Sequence, residues 1–224
     1  MSLIHFFHKS SILKRVFHTL DHCLATELED CSSILDLGCG PSSPIQFCAN
    51  IKYSVGVEAF KPYLLASKKK KIHSEYLQKR IQSLSFPSNR FDAVIMIEVI
   101  EHLSEKDGLA IIKKATKWAK KKIIITSPNG FLHQHELDRN PLQKHLSGWD
   151  YKKMKRLGFY SRGLAGLKIL RKENEDQSMA DNLLNSIRFR PKLFWFIIAS
   201  LSQIVIYYFP IQAFELFSVK KNFK

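Results

Sequence analysis

The segment that most constrains the fold of this chain is residues 33–44, Ser-Ile-Leu-Asp-Leu-Gly-Cys-Gly-Pro-Ser-Ser-Pro. Its apolar start predicts a buried strand over 33–37, and Gly38 and Gly40 allow a sharp turn with close approach of a ligand. Ser43 can then cap a helix whose first turn accepts Pro44. A strand, a glycine turn and a helix in this order are typical of the first unit of a nucleotide-binding α/β sheet.

An acidic residue further along the chain supports this interpretation. Glu58 lies twenty positions after Gly38 and closes the apolar run 53–57. An acid at the end of the second strand is where nucleotide-binding folds hold the ribose hydroxyls. Ser42 and Ser43 occupy the region of the third glycine of the dinucleotide fingerprint, which argues against an ordinary nicotinamide site.

The run Asp36–Gly40 closely resembles motif I of the class I S-adenosylmethionine-dependent methyltransferases, whose pattern is acid-x-Gly-x-Gly. Three further stretches resemble the same family: 84–94, Glu98–Leu103 and Ser127–Asn129. The resemblance spans residues 33–160. It implies an α/β fold, a Rossmann-like, doubly wound and mostly parallel seven-stranded sheet with helices on both faces.

Hydrophobic patterning predicts the other elements. Helices are expected over 3–28, 44–51 and 105–120, and strands over 53–58, 76–81, 91–97, 123–126 and 213–219. The helix over 105–120 should point its apolar residues inward and end in lysines: Leu109, Ile111, Ile112, Trp118 and Lys120–Lys122. A strand should begin after the turn 157–159, and residues 171–190 form a polar, mobile-looking stretch.

The length of 224 residues predicts a single domain. It divides into an N-terminal helical cap (1–32), a cofactor-binding core (33–170) and a C-terminal part with an apolar helix and the last strand (171–224). The four cysteines form no Cys-x-x-Cys pair, and the nine histidines are scattered, so no zinc spacing emerges. This usage favours a reduced, cytoplasmic compartment.

The net charge of +15 suggests an acidic partner. The lysine runs Lys68–Lys71 and Lys120–Lys122, however, are predicted at helix ends on the sheet edge opposite the ligand crevice. Lysines there complement the helix dipole and stay solvated. The charge therefore does not favour nucleic acid as the partner.

Residues 193–209 form an uncharged, apolar run preceded by Arg188, Arg190 and Lys192. Three interpretations are open: an internal or homodimer-interface helix, a helix in peripheral contact with a membrane surface, and a membrane span. A span would leave the predicted strand 213–219 on the wrong side of the membrane. We therefore favour a half-buried helix, which would bring the cytoplasmic protein to the membrane surface if it rests on lipid.

The family resemblance implies S-adenosylmethionine as the cofactor, with its methionine end held by the loop from Asp36 to Gly40 and its ribose by Glu58. Phe60 is expected against the adenine or, equally, in the core. Arg80 stands where the family often has an adenine-contacting acid, so Gln82, Ser83 or the backbone of Ile81 would substitute. The expected cofactor-binding residues are Asp36, Gly38, Cys39, Gly40, Glu58, Phe60, Gln82, Ser83 and Glu98.

The sequence predicts methyl transfer to a small-molecule, glycan or lipid-linked acceptor, at oxygen, with loop 128–149 over the acceptor. A hydroxyl acceptor benefits from a general base. His102 follows the fourth strand, and His133, His135 and His145 lie in that loop. The expected catalytic residues are His102, His145 and Glu98.

Two alternatives remain open. Glu98, Glu101 and His102, at i, i+3 and i+4, could converge on one helical face and hold magnesium or manganese with His145. That set is similar to the small-RNA 3′-terminal 2′-O-methyltransferases, which bind a divalent metal through two glutamates and two histidines. The other alternative is a catalytically silent cofactor-binding or scaffold module.

Overall fold

One seven-stranded sheet organises the computed structural model, which describes residues 11–136, 138–172 and 182–221. The strands are β1 (Ser33–Leu37), β2 (Tyr53–Val57), β3 (Glu75–Leu77), β4 (Phe91–Ile97), β5 (Ala119–Pro128), β6 (Tyr160–Leu167) and β7 (Ala213–Lys221). Their order is β3-β2-β1-β4-β5-β7-β6, and only β7 runs antiparallel to its neighbours. The predicted Rossmann-like fold class is confirmed.

The strand order reverses beside β1, which pairs with β2 on one side and β4 on the other. In open α/β sheets, the crevice for ligands opens at such a reversal, beyond the carboxyl ends of the strands. The glycine loop after β1, Glu58 after β2 and residues 98–102 after β4 therefore meet at one edge.

The helices cover both faces of the sheet. They are α1 (Ser11–Val16), α2 (Leu20–Glu27), α3 (Lys61–Lys70), α4 (Glu105–Trp118), α5 (Tyr151–Arg156), α6 (Asn182–Asn185) and α7 (Lys192–Ile206). Apolar residues of α4 and α5 pack with one set of strand side chains, and those of α2 pack with the other. Because both faces are covered, β1 and β4 are buried along nearly their whole length.

The helix predicted over 44–51 is wrong, since only a 3₁₀ turn, Pro44–Phe47, forms there. The predicted start is confirmed, because the Ser43 hydroxyl accepts from the Ile45 N–H and Pro44 occupies the first turn. Cys48 then adopts extended dihedrals (φ −98°, ψ 112°), and only Ile45 of the turn is buried. Cys48 and Ile51 therefore pack against the core from chain outside the turn rather than from further helical turns.

The predicted end of the helix before β5 is also wrong. The helix ends at Trp118, and Lys120–Lys122 belong to β5. Lys122 is buried, and its Nζ lies 2.6 Å from Asp30 Oδ1 and 3.2 Å from Glu27 Oε1. These two acids allow a lysine to occupy an inward strand position.

Leu109 is exposed rather than inward as predicted. Gly108 instead faces the protein interior, where the indole ring of Trp149 fills the space that a side chain would need. The inward positions of Ile111, Ile112 and Trp118 are confirmed.

Among the short elements, β3 covers only Glu75–Leu77, and Ile81 lies in a 3₁₀ turn, Ile81–Ser83, beyond it. The apolar run 193–209 forms α7, and the strand predicted at 213–219 is confirmed as β7. Within the described ranges, no helix has the length and apolar character needed to cross a membrane. The polar stretch 171–190 lies partly outside the described residues, at 173–181.

Candidate active site

A cavity of about 810 Å³ opens at the carboxyl edge of the sheet, where the strand order reverses. Its walls are the glycine loop, the segment from Glu98 to Ser104, and the loop residues 132–134 and 140–146. The volume lies within the range of roughly 300–1,000 Å³ that is usual for small-molecule and cofactor sites.

The glycine loop is fixed to the end of β2. The Gly38 and Cys39 N–H groups both donate to the Val57 carbonyl, at 2.8 and 2.9 Å. Gly38 and Gly40 have φ values of +72° and +56°, which side chains rarely adopt. A Cβ on Gly38 would lie 2.6 Å from Val99 Cγ2, whereas a Cβ on Gly40 would meet no atom within 4 Å. Gly40 thus presents bare backbone to the cavity.

Glu58 holds its carboxylate between the ends of β1 and β2. Oε2 accepts from the Gly40 N–H at 3.1 Å, and Oε1 accepts from the Phe60 N–H at 2.8 Å. Burial raises the pKa of this carboxyl, and the two backbone donors oppose the rise. Phe60 does not line the cavity; its ring packs edge-on against Tyr63, which does, with centroids 5.0 Å apart.

The predicted adenine-side residues divide into two groups. Arg80, Ile81 and Gln82 line the cavity, whereas Ser83 turns back to donate to the Arg80 carbonyl at 2.8 Å. Lys114 holds the turn in place by donating to the Gln82 carbonyl at 2.6 Å. The Gln82 side chain thus remains a candidate for the adenine contact.

Asp36 lies in the buried part of β1, and among the described residues its two carboxylate oxygens have no hydrogen-bond partner. Burial raises its pKa to about 7. The imidazole of His73, which the sequence analysis missed, is buried beside it. The available signal was Gly56 in the interior of β2, because a strand glycine often marks close approach of another group; here that group is His73.

The opposite wall carries Glu98, Glu101 and His102, with His145 facing them from the loop. The prediction that the first three share a helical face is wrong, since Glu98 has a φ of +51° and a 3₁₀ turn, Ile100–His102, follows it. Nevertheless, ligand atoms of Glu101, His102 and His145 lie within 4.8 Å of one another. Glu98 is outside that group of three but lines the same cavity.

Burial sets the charge state of this wall. It raises the pKa of Glu98 well above its usual value and that of Glu101 to about 8, and the neighbouring carboxylates Glu101 and Glu215 raise that of Glu98 further. Burial, with a contribution from His145, lowers the pKa of His102 to about 4. Burial in this wall therefore favours the uncharged forms of Glu98, Glu101 and His102.

Backbone carbonyls determine the tautomers of the two histidines. His145 Nδ1 lies 2.6 Å from the Leu132 carbonyl oxygen, and His102 Nδ1 lies 3.3 Å from that of Lys144. Because a carbonyl only accepts, we infer that Nδ1 carries the hydrogen in each ring and that Nε2 is the basic nitrogen. His133 also lines the cavity, whereas His135 does not.

Among the charged residues of the cavity wall that the sequence analysis missed are Glu215 and Arg171. Glu215 of β7 and Arg171 both line the cavity, and the guanidinium of Arg171 opposes the rise that burial causes in the pKa of Glu215. An acid within the apolar run 213–219 was the only signal for Glu215. No pattern pointed to Arg171, whose position depends on contacts with Ala165 and Ser186.

Solved structures share this fold. The methyltransferase domain of bacterial CtHen1 aligns in two forms: CtHen1-CN with 15% identity over 90% of this chain and 97% of that one (TM-score 0.53), and CtHen1-C with 16% identity over 91% and 97% (TM-score 0.52). Magnesium protoporphyrin IX methyltransferase (ChlM) from Synechocystis PCC 6803, with bound SAM, has 16% identity over 68% and 74% (TM-score 0.45). No curated protein sequence matches the chain.

The family model described as a methyltransferase domain matches residues 35–125. This range runs from β1 to β5 and includes the glycine loop, Glu58 and the wall from Glu98 to His102. Over these residues the chain carries a methyltransferase domain. It is a methyltransferase, and S-adenosylmethionine is its cofactor.

Proposed function

We propose that this methyltransferase transfers the methyl group to a hydroxyl oxygen of a small-molecule, glycan or lipid-linked acceptor, with His102 as the general base. The observation that carries the proposal is the position of His102. Its imidazole lines the cavity, and its Nδ1 lies 3.3 Å from the Lys144 carbonyl oxygen, which leaves Nε2 as the unprotonated nitrogen. The lowered pKa of about 4 keeps the ring neutral near pH 7 but makes Nε2 a weak base, so its role is to take the hydroxyl proton as the carbon–oxygen bond forms.

The residues of the cavity fit the cofactor. Gly40 exposes bare backbone, Glu58 offers carboxylate oxygens for ribose hydroxyls, and Asp36 has buried oxygens without hydrogen-bond partners. A cationic ligand group close to Asp36 would satisfy these oxygens. We assign the methionine end to the loop from Asp36 to Gly40 and the ribose to Glu58.

When bound, the cofactor would supply a methyl group on a positively charged sulfur; an O–C bond to the acceptor would form as the C–S bond breaks and the neutral thioether leaves. The task of the chain is alignment and exclusion of water, which in well-oriented intramolecular reactions supplies roughly 7–11 kcal/mol of the barrier reduction. The proton of the acceptor hydroxyl goes to Nε2 of His102. The Lys144 carbonyl fixes the orientation of that ring through Nδ1.

The acceptor would enter between the glycine loop and the loop residues 132–146. Leu132, Leu142 and Leu146 give that part of the wall an apolar character, and His133 and Gln134 add polar contacts. A mixed wall of this kind suits an acceptor with both an apolar body and a hydroxyl group.

The deciding experiment is transfer of radiolabelled methyl groups into cell extract, followed by separation into lipid, glycan, RNA and protein fractions. We expect label in the lipid, glycan or small-molecule fraction. His102→Gln should lower kcat about 10²- to 10⁴-fold while cofactor affinity is retained. His135→Gln is the matched control, because His135 does not line the cavity. Unchanged kcat in His102→Gln would exclude the proposed base.

A second candidate, a metal-dependent 2′-O-methyltransferase acting on RNA, is favoured by the grouping of Glu101, His102 and His145. It predicts label in the RNA fraction, loss of activity with chelator and recovery with Mn²⁺. His145→Ala and Glu101→Ala should then lose metal binding. A catalytically silent module would bind the cofactor by calorimetry but transfer no label, with Gly38→Arg as the non-binding control.

A further inference from the structure

Helix α7 exposes a stripe of large apolar side chains on its solvent side. Six of them have exposed fractions between 37% and 60%: Leu193, Phe194, Ile197, Leu201, Ile204 and Val205. These positions repeat at helical spacing and form one stripe, which we call the outer face of α7. Surface helices normally turn such a stripe toward the core.

The inner side of α7 combines apolar residues that pack against the protein, among them Trp195 and Ile206, with small and polar residues that hydrogen-bond to β6. Ala199 and Gln203 are buried there. Gln203 Oε1 accepts from the Gly166 N–H at 2.8 Å, its Nε2 donates to the Gly163 carbonyl at 3.0 Å, and the Ser202 hydroxyl accepts from the Leu167 N–H at 3.0 Å. These bonds fix α7 along β6, so the outer face cannot rotate inward without breaking them.

Aromatic side chains extend the outer face beyond the end of the helix. Tyr208 and Phe209 are more than half exposed, as is Ile211 in the following turn. At the other end, Phe189 packs against Trp195 with ring centroids 5.2 Å apart. Aromatic and aliphatic groups of this kind partition well into the boundary between lipid headgroups and acyl chains.

The charges beside this face have a single sign. Arg188 and Arg190 are exposed just before α7, and Lys192 begins it. The sequence from 182 to 214 contains no acidic residue. Clustered cations next to an exposed apolar stripe complement an anionic bilayer surface, where each contributes to attraction.

We propose that the outer face of α7, with Arg188, Arg190 and Lys192, docks this protein peripherally on an anionic phospholipid surface. The helix would lie along the surface with its apolar stripe among the lipids and the three cations at the headgroups. Ala199 packs with Leu170 and Ile187, whose neighbours Arg171 and Ser186 line the cavity. Docking would therefore bring one wall of the active site close to the lipid.

The test is flotation of the full chain with vesicles of phosphatidylcholine alone or mixed with phosphatidylglycerol. We expect cofloating with the anionic vesicles and weak binding to the neutral ones. Leu201→Gln with Val205→Gln should abolish flotation. Leu65→Gln is the matched control, because Leu65 is equally exposed (52%, against 51% for Leu201) but lies on α3.

A second set of variants tests the electrostatic attraction between the cations beside α7 and the anionic vesicles. Arg188→Gln with Arg190→Gln should weaken binding to anionic vesicles about fivefold for each cation removed. Lys69→Gln with Lys70→Gln, which removes the same charge from exposed positions of α3, should leave binding unchanged. Equal losses in both pairs would overturn the assignment to α7.

Absence of flotation with anionic vesicles overturns the proposal. A second result would also overturn it: the protein sediments as a dimer, and Leu201→Gln with Val205→Gln dissociates the dimer but leaves vesicle binding intact. The outer face of α7 would then be the contact with a second copy of the chain. Vesicle binding needs no methyl transfer. Its failure is thus distinguishable from failure of the proposed O-methylation.

Discussion

The imidazole Nε2 of His73 lies 3.4 Å from Oδ2 of Asp36, and both side chains are almost fully buried beneath the glycine loop. Burial lowers the pKa of His73 to about 4 and raises that of Asp36 to about 7. Between these values the folded pair holds one proton, on the carboxyl. The unfolded chain also holds one proton there between about pH 4 and 6.5, but on the imidazole.

Because the folded and unfolded states bind the same number of protons at this pair, its contribution to stability is nearly independent of pH in that range. Single substitutions should reveal the opposing pH dependences of stability that the two residues contribute. In Asp36→Asn, His73 alone remains, its folded pKa is depressed, and the free energy of unfolding should fall as pH decreases from 6.5 to 4. In His73→Gln, the raised pKa of Asp36 remains, and the free energy of unfolding should fall as pH increases from about 4 to 7.

Each slope should differ from that of the unmodified protein by about 1.4 kcal/mol per pH unit, with opposite signs in the two variants. Urea denaturation at a series of pH values measures it. Slopes of the same sign in both variants would contradict the description of a buried pair with one proton.

Cofactor binding should release a proton near pH 7. A cationic group that approaches Asp36 stabilises its ionised form, so the carboxyl that is partly protonated in the free protein becomes ionised in the complex. Calorimetry in buffers of different ionisation enthalpy measures the number of protons released. Asp36→Asn should remove this release, and identical binding enthalpies in all buffers would disprove it.

The two glycines of the loop should respond differently to a methyl group. Gly38→Ala forces a Cβ against Val99 and a left-handed conformation, so it should lower the free energy of unfolding markedly. Gly40→Ala carries only the conformational cost, about 1–2 kcal/mol, because its Cβ would project into open space. That space is the cavity, so Gly40→Ala should fold and yet bind the cofactor more weakly. Thermal denaturation and calorimetry with S-adenosylmethionine distinguish the two effects.

Replacement of Glu58 should weaken cofactor binding without preventing folding. Glu58→Gln removes the charge, and hydrogen bonds to charged groups contribute about 1.5–3 kcal/mol, which corresponds to a loss of affinity of roughly 10- to 150-fold. Calorimetry measures the affinity, and Glu29→Gln, at an exposed acid outside the cavity, is the control. Unchanged affinity in Glu58→Gln would remove this residue from the ribose site.

The buried ion pairs of Lys122 at the other edge of the sheet should affect stability alone. Lys122→Ala leaves Glu27 and Asp30 without this partner, and we expect a loss of about 1–3 kcal/mol in the free energy of unfolding. Lys120→Ala, at an exposed position two residues earlier, is the matched control. Cofactor affinity should be the same in both variants, since the cavity lies at the opposite edge.

Local sequence patterns predicted those elements whose structure is favoured both by the local sequence and by packing against distant parts of the chain. β1 and β4 have the predicted bounds because their apolar runs are buried on both faces. The helix at 44–51 stops after its first turn, because the chain becomes extended at Cys48, and Cys48 and Ile51 reach the core from outside the turn. Lys122 could not be placed, since its position depends on acids about 90 residues away in the chain.

The candidate site shows the same division. The loop from Asp36 to Gly40 and Glu58 could be located from spacing, because strand ends meet at one edge in this fold. The arrangement of Glu98 could not, since its positive φ replaces the helix that the spacing suggested. His73 is placed by its contact with Asp36 and Arg171 by its contacts with Ala165 and Ser186, and a single sequence carries no pattern for such contacts.

The fit of Trp149 against Gly108 has a consequence for how substrate enters. The indole is fully buried and donates to the Ile100 carbonyl and the Ser147 hydroxyl, at 3.2 and 2.8 Å. These hydrogen bonds anchor the end of the loop at Trp149 to the turn that carries Glu101 and His102. A movement of the loop that admits substrate would therefore occur in the residues before Trp149. Amide hydrogen exchange should be fast within 131–136 and slow at Trp149.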